Sequence, residues 1–445
     1  MIEPNVIVIG GGPAGLSAAT EIARSGYVVE IIEQRESLGG AIHRQPIEGV
    51  HPIHQAAGPK ARWQALAQAF AAARIPVRHA SVFVGVDGDG RVLIENRRTE
   101  RVEQLAPKAV ILATGAVEKI YPRPGWQMAG VSTAGGLQVM MKETGLAPQG
   151  RVLLAGSGPL LIAVAAQMAR LGNPPVAIVE AGDPMRQIGP GFAMLGHAAL
   201  LREAAGYLSE IYLRRIPWMR GTHVEAIEKE GESLRATLRR HDGSVERVTV
   251  DRISLHDGIR PNDFGLPKET MESMTGPLIL RAGDCREALG AFAAEADGRR
   301  VGRAVVDILS GNRDCAELDR TIERARLAQT TLAALFAPVD PRPPLGQLPD
   351  ETILCRCEGK TVGDLRRLCD RADRLTGREI KHNGRFAMGA CQGRFCAANT
   401  AALMAEINPD APTPSSEDLT GRRWPVRPIS IAALTGATSQ NTENE

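Results

Sequence analysis

The sequence contains few aromatic residues and has almost no net charge. Aromatic residues make up only 4% of its 445 residues, and the 53 Lys and Arg residues nearly cancel the 51 Asp and Glu residues. The net charge of +2 gives no broad basic surface, so nucleic acid is not expected as a partner. No run reaches the ~18 consecutive apolar residues that a membrane helix needs, so no transmembrane segment is expected.

The N-terminal residues also lack the basic stretch and apolar core that mark a signal peptide. We therefore expect a cytoplasmic protein, in a compartment that keeps thiols reduced. The seven cysteines are then not expected to form a disulfide framework, and they require another explanation.

The length suggests about three domains, and the first of them begins with a β-α-β unit. Residues 5–9 form a short apolar strand, a helix is predicted from Pro13 to Ser25, and a second apolar strand covers Val28–Glu33. The turn between strand and helix reads GGGPAG over residues 10–15 and fits the pattern G-x-G-x-x-G. Such a turn presents backbone N–H groups and the positive end of a helix to phosphates.

Each glycine of this pattern has a physical role. Gly10 makes the tight turn, Gly12 lets the backbone approach a pyrophosphate, and Gly15 lets the helix pack closely on the strand. Glu33, at the end of the second strand, can accept hydrogen bonds from ribose hydroxyls. The alternative is a glycine-rich turn that binds nothing.

Together these features resemble the glutathione-reductase-like flavoproteins, which contain two dinucleotide-binding domains. The loop at Gly39 and Gly40, the strand end at 113–115 and the segment 282–284 match that family as well. The resemblance implies an α/β fold with tandem Rossmann-type FAD and NAD(P)-like domains, and FAD at the first motif; a simple adenine nucleotide there is the alternative. The cofactor-binding residues that it implies are Gly10, Gly12, Pro13, Ala14, Gly15, Glu33, Gln34, Gly39, Gly40, Thr114, Gly115, Gly283 and Asp284.

A second copy of the motif is defective. Residues 156–161 read GSGPLL, so Leu161 stands where the third glycine belongs, and we expect it to push the helix away from the strand. Glu180 stands where a ribose-binding acid would favour NAD over NADP. The defect favours a domain kept for packing and partner contact over one that binds NAD.

The family's disulfide reductases carry a close pair of redox-active cysteines, and this pair is missing. No cysteine precedes Cys285, and the next one, Cys315, is distant in sequence. Thiol–disulfide chemistry at the flavin is therefore not expected, Cys285 is interpreted as a packing residue, and no catalytic residue is assigned.

Four of the remaining cysteines form two close pairs, Cys355 with Cys357 and Cys391 with Cys396. Zinc sites more often use C-x2-C knuckles. The C-x-C and C-x4-C spacings suit a [2Fe–2S] cluster, in which each iron takes two thiolates. We therefore predict that these four cysteines are the metal ligands of such a cluster, with zinc or inert cysteines as the alternatives.

The segment 381–396 resembles the bacterioferritin-associated-ferredoxin-like [2Fe–2S] domain that is fused to the α-subunits of opine oxidase, hydroxyproline dehydrogenase and hydrogen cyanide synthase. This resemblance implies the α-subunit of an amino-acid or secondary-amine dehydrogenase acting on CH–NH donors. Its substrate, an opine, hydroxyproline or a sarcosine-like compound, would be oxidised mainly on an FAD-containing β-subunit, and an FMN at a subunit interface is compatible with it. The α-subunit would pass electrons to an acceptor.

Two other functions are compatible with the residues: a self-sufficient NADH-dependent reductase, and an assembly subunit that binds an adenine nucleotide. Hairpins are predicted at 81–95 and 234–250, and the cluster domain is expected to be joined to the rest only by a proline-rich linker. The predicted division is 1–120 with 252–334 as the FAD domain, 121–251 as the NAD(P)-binding-like domain, 335–350 as the linker, 351–410 as a small, mainly helical [2Fe–2S] domain, and 411–445 as an extended tail.

Overall fold

The computed structural model describes residues 4–270, 276–311, 320–370, 374–412, 414–421 and 425–438. The strands in this part of the chain are β1 (Val6–Ile9), β2 (Val29–Ile32), β3 (Val77–Arg78), β4 (Ser81–Val86), β5 (Val92–Asn96), β6 (Arg101–Leu105), β7 (Ala109–Leu112), β8 (Ala116–Glu118), β9 (Val131–Thr133), β10 (Val152–Gly156), β11 (Ala177–Glu180), β12 (Trp218–Arg220), β13 (Thr222–Glu230), β14 (Ser233–Arg240), β15 (Val245–Val250), β16 (Arg252–His256), β17 (Ile259–Pro261), β18 (Leu278–Arg281), β19 (Ile353–Cys355) and β20 (Lys360–Thr361). The α-helices are α1 (Pro13–Arg24), α2 (Ala57–Ala72), α3 (Ala134–Thr144), α4 (Pro159–Arg170), α5 (Ile188–Ala193), α6 (Ala198–Leu213), α7 (Ala291–Leu309), α8 (Arg320–Leu335), α9 (Val362–Cys369), α10 (Gly377–Gly384), α11 (Ala397–Ile407), α12 (Ser416–Thr420) and α13 (Ile431–Thr438).

The first unit is built on a parallel sheet with the strand order β18-β7-β1-β2-β3. Its central strand β1 buries all four side chains, because both faces of the sheet are covered. Val6 and Val8 belong to the core beneath helices α1 and α7, whereas Ile7 and Ile9 belong to the core beneath the antiparallel sheet β4-β5-β6. The predicted hairpin of β4 and β5 is confirmed.

The second unit repeats this plan. Its parallel sheet has the order β12-β11-β10-β16-β9, with α3, α4 and α6 on one face and the antiparallel sheet β13-β14-β15 on the other. The predicted hairpin of β14 and β15 is confirmed. The internal duplication that the two glycine motifs indicated is therefore present in the fold.

The two units are joined by the antiparallel pair β8 and β17. The boundary that the sequence predicted at residue 252 is too early, because β16 pairs with β10 in the second sheet. Helix α8 also departs from the predicted division, since Leu332 and Leu335 near its C-terminal end pack against the second core. None of the helices among the described residues combines the length and apolarity needed to cross a membrane.

The third unit is mainly helical, as predicted. A small core between α9, α10 and α11 contains Leu365, Ile380, Phe386 and Leu403. The predicted linker is not a free tether, because Leu345 and Leu348 are buried in this same core. Their burial removes apolar surface from water and fixes the chain against the third unit.

The expectation that only the linker joins the third unit to the others is wrong. The Trp126 indole donates a hydrogen bond to the Ile353 carbonyl at 2.7 Å, and the Asn399 amide donates to the Ile120 carbonyl at 2.9 Å. These bonds connect the third unit directly to the segment that follows β8, the strand that helps to join the first two units.

The predicted extended tail is also corrected within its described residues. Helix α12 begins with a capping box in which Ser415 and Asp418 satisfy each other's backbone N–H groups. Beyond it, the Val426 N–H donates to the Val84 carbonyl at 2.7 Å, and the Val426 side chain is buried in the core of the first unit. Buried apolar side chains, rather than local composition, therefore determine the path of this segment.

Candidate functional site

The first glycine motif brings two strands and a helix to backbone contact. A Cβ atom on Gly15 would lie 1.9 Å from the Gly10 carbonyl oxygen, so only glycine lets α1 approach β1 this closely. Gly10 has a φ of +110°, and a Cβ there would lie 2.4 Å from the Ala113 carbonyl oxygen at the end of β7. Both positions require glycine for packing, as the motif predicted.

The predicted loop at Gly39 and Gly40 lies beside this turn. The Gly39 N–H donates to the Gly11 carbonyl at 2.8 Å, and a Cβ on Gly40 would lie 3.1 Å from the Gly12 Cα. Gly12 and Gly40 therefore form a surface of bare backbone at the start of α1. Pro13 occupies the first turn of that helix, where its missing N–H costs no hydrogen bond.

Glu33 links the end of β2 to the motif. Its Oε2 accepts the Gly11 N–H at 2.7 Å, and its Oε1 accepts the Arg35 N–H at 2.9 Å. The side chain is buried, yet it still lines the central cavity. Each carboxylate oxygen has further acceptor capacity for a ligand hydroxyl.

Asp284 lies at the opposite side of the motif, after β18. Its Oδ1 accepts the N–H groups of Leu289 at 3.0 Å and Gly290 at 2.9 Å, which precede α7. Burial raises the pKa of Asp284 above its ordinary value. The neighbouring Gly283 packs against α1, since a Cβ on it would lie 2.5 Å from the Ala14 Cβ.

Sequence reasoning missed Asp297, which organises the same region from α7. It is buried, its Oδ2 accepts the Gly283 N–H at 2.8 Å, and its Oδ1 lies 2.7 Å from Arg286 and 2.9 Å from Arg300. The sequence contained a signal for this role. Asp297 stands among the small apolar residues of the buried face of α7, and a charged residue at such a position needs a partner.

One cavity of about 1990 Å³ connects these features with the second motif. The candidate residues Gly15, Gly39 and Gly283 act in packing behind its wall. The candidate residues that line it are Gly10, Gly12, Pro13, Ala14, Glu33, Gln34, Gly40, Thr114, Gly115 and Asp284.

The second motif keeps the local geometry of the first, but its glutamate, Glu180, has no access to the cavity. A Cβ on Gly156 would lie 1.9 Å from the His256 carbonyl oxygen, and Leu161 is fully buried in the second core. The Glu180 carboxylate accepts the N–H groups of Gly158 and Gly182, both at 3.2 Å. Glu180 is 0% exposed, it does not line the cavity, and burial raises its pKa to about 8.

The covering segment, Phe336–Val339, accounts for this closure. The Ser157 hydroxyl donates to the Phe336 carbonyl at 2.6 Å, and the Val339 N–H donates to the Ala181 carbonyl at 2.9 Å. Pro338 also forms a β-bridge with Gly182. The chain itself therefore lies along the end of β11, where a bound nucleotide would have to reach Glu180.

A histidine and a carboxylate face the cavity between the two motifs, and sequence reasoning did not assign them. His256 Nδ1 lies 3.0 Å from Glu118 Oε1, and both side chains line the cavity. Burial opposes ionisation of Glu118, but hydrogen bonds from His256, Thr133 and Gly135 hold its pKa below the ordinary value. The pair joins the crossover strand β8 to β16 at the second motif.

The four predicted cysteine ligands come together as two contacting pairs. The thiol of Cys355 lies beside that of Cys396, and the thiol of Cys357 lies beside that of Cys391. The interaction with Cys396 lowers the pKa of Cys355, and backbone N–H groups, including that of Ala387, lower it further. The fold thus surrounds the Cys355 sulfur with donors that stabilise negative charge.

Within the described residues, no group of three or more His, Cys, Asp and Glu side chains has the arrangement of a metal-ion site. Gly389 lets the loop that carries Cys391 approach closely, since a Cβ on it would lie 2.3 Å from the Cys357 Cβ. Cys285 is buried and accepts a hydrogen bond from the Thr114 hydroxyl at 3.1 Å, and Cys315 lies outside the described residues.

The cavity extends to residues beside the paired cysteines, although no member of either pair lines it. Arg356, which stands between Cys355 and Cys357, and Phe395, which precedes Cys396, both line it. The Arg356 guanidinium lies 5.9 Å from the centre of the Phe395 ring. The first motif and these two neighbours of the cysteines therefore line the same cavity.

Comparisons with known proteins agree with this architecture. The model of the pyridine nucleotide-disulphide oxidoreductase family matches residues 4–277. The chain is 28% identical to an opine oxidase subunit of Agrobacterium tumefaciens (strain Ach5), over 97% of this chain and 91% of that protein. It is 30% identical to the HcnB subunit of hydrogen cyanide synthase of Pseudomonas aeruginosa, over 88% of this chain and 90% of that protein.

Among solved structures, the fold is similar to that of L-proline dehydrogenase from P. horikoshii. The TM-score is 0.64 at 20% identity, with 97% of this chain and 79% of that chain covered. The family match spans both glycine motifs and the crossover between them. This chain therefore belongs to the pyridine nucleotide-disulphide oxidoreductase family.

Proposed function

We propose that the chain is the flavin- and [2Fe–2S]-containing electron-transfer subunit of a heteromeric dehydrogenase that oxidises an amino acid or a secondary amine. One observation carries this proposal: the cavity reaches from the first glycine motif to Arg356 and Phe395, which stand beside the paired cysteines. A flavin at the first motif would then share one cavity with residues next to the cluster, at an end where Arg356 and Phe395 are exposed. Such an arrangement suits a relay of electrons.

FAD is the group proposed for the first motif, and family membership supports it. The bare backbone at Gly12 and Gly40 would receive the pyrophosphate at the start of α1. Glu33 would accept the ribose hydroxyls, and Asp284 faces the cavity from the side of α7. The remaining candidate residues would line the flavin or hold these backbones in place.

The four paired cysteines are the ligands proposed for a [2Fe–2S] cluster. Each iron of such a cluster takes two protein thiolates, and the sequence supplies two close pairs, Cys355 with Cys357 and Cys391 with Cys396. The N–H groups around Cys355 would compensate the negative charge of the sulfurs. The cluster would accept electrons singly from a flavin that carries two.

A separate β-subunit is proposed as the place where the substrate is oxidised. The relatives are named as subunits of an opine oxidase and of a hydrogen cyanide synthase, which supports a partner protein. The alpha subunit of sarcosine oxidase of Corynebacterium sp. (strain U-96) is 26% identical over 58% of this chain and 27% of that protein. These names support an opine or sarcosine-like substrate and a partner subunit. Hydroxyproline as a substrate, FAD in the partner, FMN at the subunit interface and a further electron acceptor are parts of the same proposal.

The first test is an anaerobic UV–visible spectrum of the purified chain before and after NADH is added, with the released nucleotide identified after acid treatment. We expect FAD, the broad absorption of an iron–sulfur cluster, and no bleaching by NADH, because Glu180 is closed off by the covering segment. Prompt bleaching would instead identify a self-sufficient NADH-dependent reductase. Release of ATP or ADP without flavin would identify a nucleotide-binding assembly subunit.

Cys391→Ser tests the cluster. We expect this variant to lose the iron–sulfur absorption and the EPR signal of the reduced protein while it retains FAD, because Cys391 does not line the cavity. Cys369→Ser is the matched control, since Cys369 lies on α9 and belongs to neither cysteine pair. Equal iron contents in the two variants would contradict the assignment of Cys391.

A further inference from the structure

The segment that follows α12 brings an arginine, Arg427, to the wall of the cavity. The preceding residue, Val426, anchors this segment, since its N–H donates to the Val84 carbonyl at 2.7 Å and its side chain is buried in the core of the first unit. The Arg394 guanidinium donates a hydrogen bond to the Val426 carbonyl. The backbone next to Arg427 is therefore held both by the first unit and by the loop that carries Cys391.

The charge of Arg427 is not compensated by a carboxylate. Within the part of the chain that the structure describes, the guanidinium has no ion-pair partner, and its one hydrogen bond is a long one, 3.5 Å from Nη2 to Asn262 Oδ1. Burial and the nearby Arg97 both lower the pKa of Arg427. Because a cation without a partner is costly to remove from water, this position favours a ligand that carries negative charge.

The guanidinium also has donors available to such a ligand. An arginine presents five N–H donors. The other side-chain nitrogens of Arg427 have no hydrogen-bond partner among the described residues, and they are not among the polar atoms that the protein encloses completely. They therefore keep accessible surface on a residue that lines the cavity.

The order of the strands places Arg427 on one particular side of the first motif. Glu33 follows β2, the glycine turn follows β1 and Thr114 follows β7, so these three points lie in this order along one edge of the sheet. Asn262 is fixed to Thr114, because its amide donates to the Thr114 carbonyl at 3.1 Å and its carbonyl accepts the Thr114 hydroxyl at 2.8 Å. Arg427 contacts Asn262, so it lies on the β7 side of the turn, opposite to Glu33.

This position corresponds to one half of an extended dinucleotide. If the ribose lies at Glu33 and the pyrophosphate at the start of α1, the other half of the molecule lies on the β7 side. In FAD that half carries the isoalloxazine ring, which is neutral when oxidised and negatively charged after it has taken up two electrons and one proton. A nearby cation stabilises the charged form more than the neutral one.

We propose that Arg427 binds the isoalloxazine half of FAD and that its charge favours the reduced flavin. This inference rests on the proposed function, because it requires FAD at the first motif. The substrate would supply the electrons and the acceptor would remove them, while Arg427 exchanges neither electrons nor protons. A segment outside both dinucleotide units would then set the reduction potential of the flavin.

The first test compares the reduction potential of the bound flavin in the natural chain and in Arg427→Met, measured by anaerobic reductive titration against an indicator dye. Methionine removes the charge and keeps an unbranched apolar side chain. We expect the affinity for reduced FAD to fall at least about tenfold relative to that for oxidised FAD, which lowers the two-electron potential by about 30 mV. Arg427→Lys retains the charge and should stay close to the natural chain. Arg247→Met is the matched control, because Arg247 is exposed on β15 and does not line the cavity.

The second test separates the ring from the phosphates. ADP contains the ribose and the pyrophosphate without the ring, so the flavin-free Arg427→Met chain should bind ADP as tightly as the flavin-free natural chain, measured by isothermal titration calorimetry. Weaker ADP binding together with an unchanged flavin potential would overturn the inference and assign Arg427 to the phosphates. If Arg427→Met fails to fold, Arg427→Gln removes the charge while keeping a polar side chain, and it allows the same two comparisons.

Failure of this inference is distinguishable from failure of the proposed function. Equal flavin potentials in the natural chain and in the uncharged variant would overturn the inference alone, since FAD would still be present. A natural chain that neither releases flavin on acid treatment nor takes up added FAD would overturn the proposed function and the inference with it.

Discussion

The two dinucleotide units share one backbone plan and differ in what that plan exposes. In each, a glutamate ends the second strand of the β-α-β unit and accepts two backbone N–H groups, with distances of 2.7 and 2.9 Å at Glu33 and 3.2 Å for both bonds at Glu180. Glu33 lines the cavity, whereas Glu180 is sealed beneath the covering segment. The comparison shows that the motif's hydrogen bonds hold its own loop together and persist where a ligand has no access to the acid.

The third glycine position is the sharpest difference between the units. Gly15 allows backbone contact between α1 and β1, while Leu161 fills the second core with a whole side chain. Substituting the residue at this position in either unit tests the comparison. The two substitutions are expected to have unequal consequences for stability and cofactor binding.

The largest effect is expected for Gly15→Leu. Its Cβ alone would lie 1.9 Å from the Gly10 carbonyl oxygen, so α1 must move and the turn around Gly12 must distort. We expect loss of bound flavin and destabilisation by more than about 3 kcal/mol, in the upper range for overpacking. Flavin content after gel filtration and urea unfolding measure this. Arg24→Leu, at an exposed position of the same helix, is the control, and flavin retention in Gly15→Leu would contradict the role assigned to Gly15.

In the second unit, Leu161→Ala removes the side chain that stands in place of the third glycine, and it is expected to cost about 3 kcal/mol of unfolding free energy, because loss of a fully buried leucine side chain leaves a void. It should not produce bleaching by NADH, since Glu180 stays beneath the covering segment. Urea unfolding and an anaerobic NADH titration check the two parts. Leu213→Ala, at an exposed position, is the control, and prompt bleaching in Leu161→Ala would show that the leucine alone blocks the site.

A third effect should appear in the pH dependence of stability. The pKa of Glu180 is raised from 4.5 to about 8 in the folded protein, so the unfolded chain releases this proton at lower pH than the folded one. The contribution of Glu180 to stability therefore decreases as the pH rises from about 4.5 to about 8. Glu180→Gln removes this decrease, so the variant should gain stability relative to the natural chain as the pH rises.

Thermal unfolding of Glu180→Gln and the natural chain at pH 5.5 and pH 8 measures this difference. Glu228→Gln, at an exposed position of β13, is the charge-matched control. A stability difference between Glu180→Gln and the natural chain that is the same at both pH values would contradict the buried, protonated state of Glu180.

Local patterns were sufficient for much of the fold. Apolar runs and turn residues predicted both hairpins, because these signals lie within a few neighbouring residues. The first motif likewise placed Gly12 and Glu33 on one cavity. The fold and the first site were therefore predictable wherever local spacing determined the geometry.

Contacts between distant segments could not be predicted in this way. Dense proline indicated a linker, but it did not show that Phe336 would lie against Ser157, or that Leu345 would enter the third core. The pairing of β16 with β10 moved the predicted boundary for the same reason. Each of these errors concerns a partner that is far away in the sequence, where burial and not local propensity decides the structure.

The burial of Val426 in the first core has a consequence for biosynthesis. This core joins Ile7 and Ile9 of β1 to a side chain more than four hundred residues later, and the sheet also needs β18 at Leu278–Arg281. Domains generally fold in order as the chain emerges from the ribosome. We therefore expect the core beside the first glycine motif, although its first strand is made early, to be completed only after residue 426 has left the ribosome.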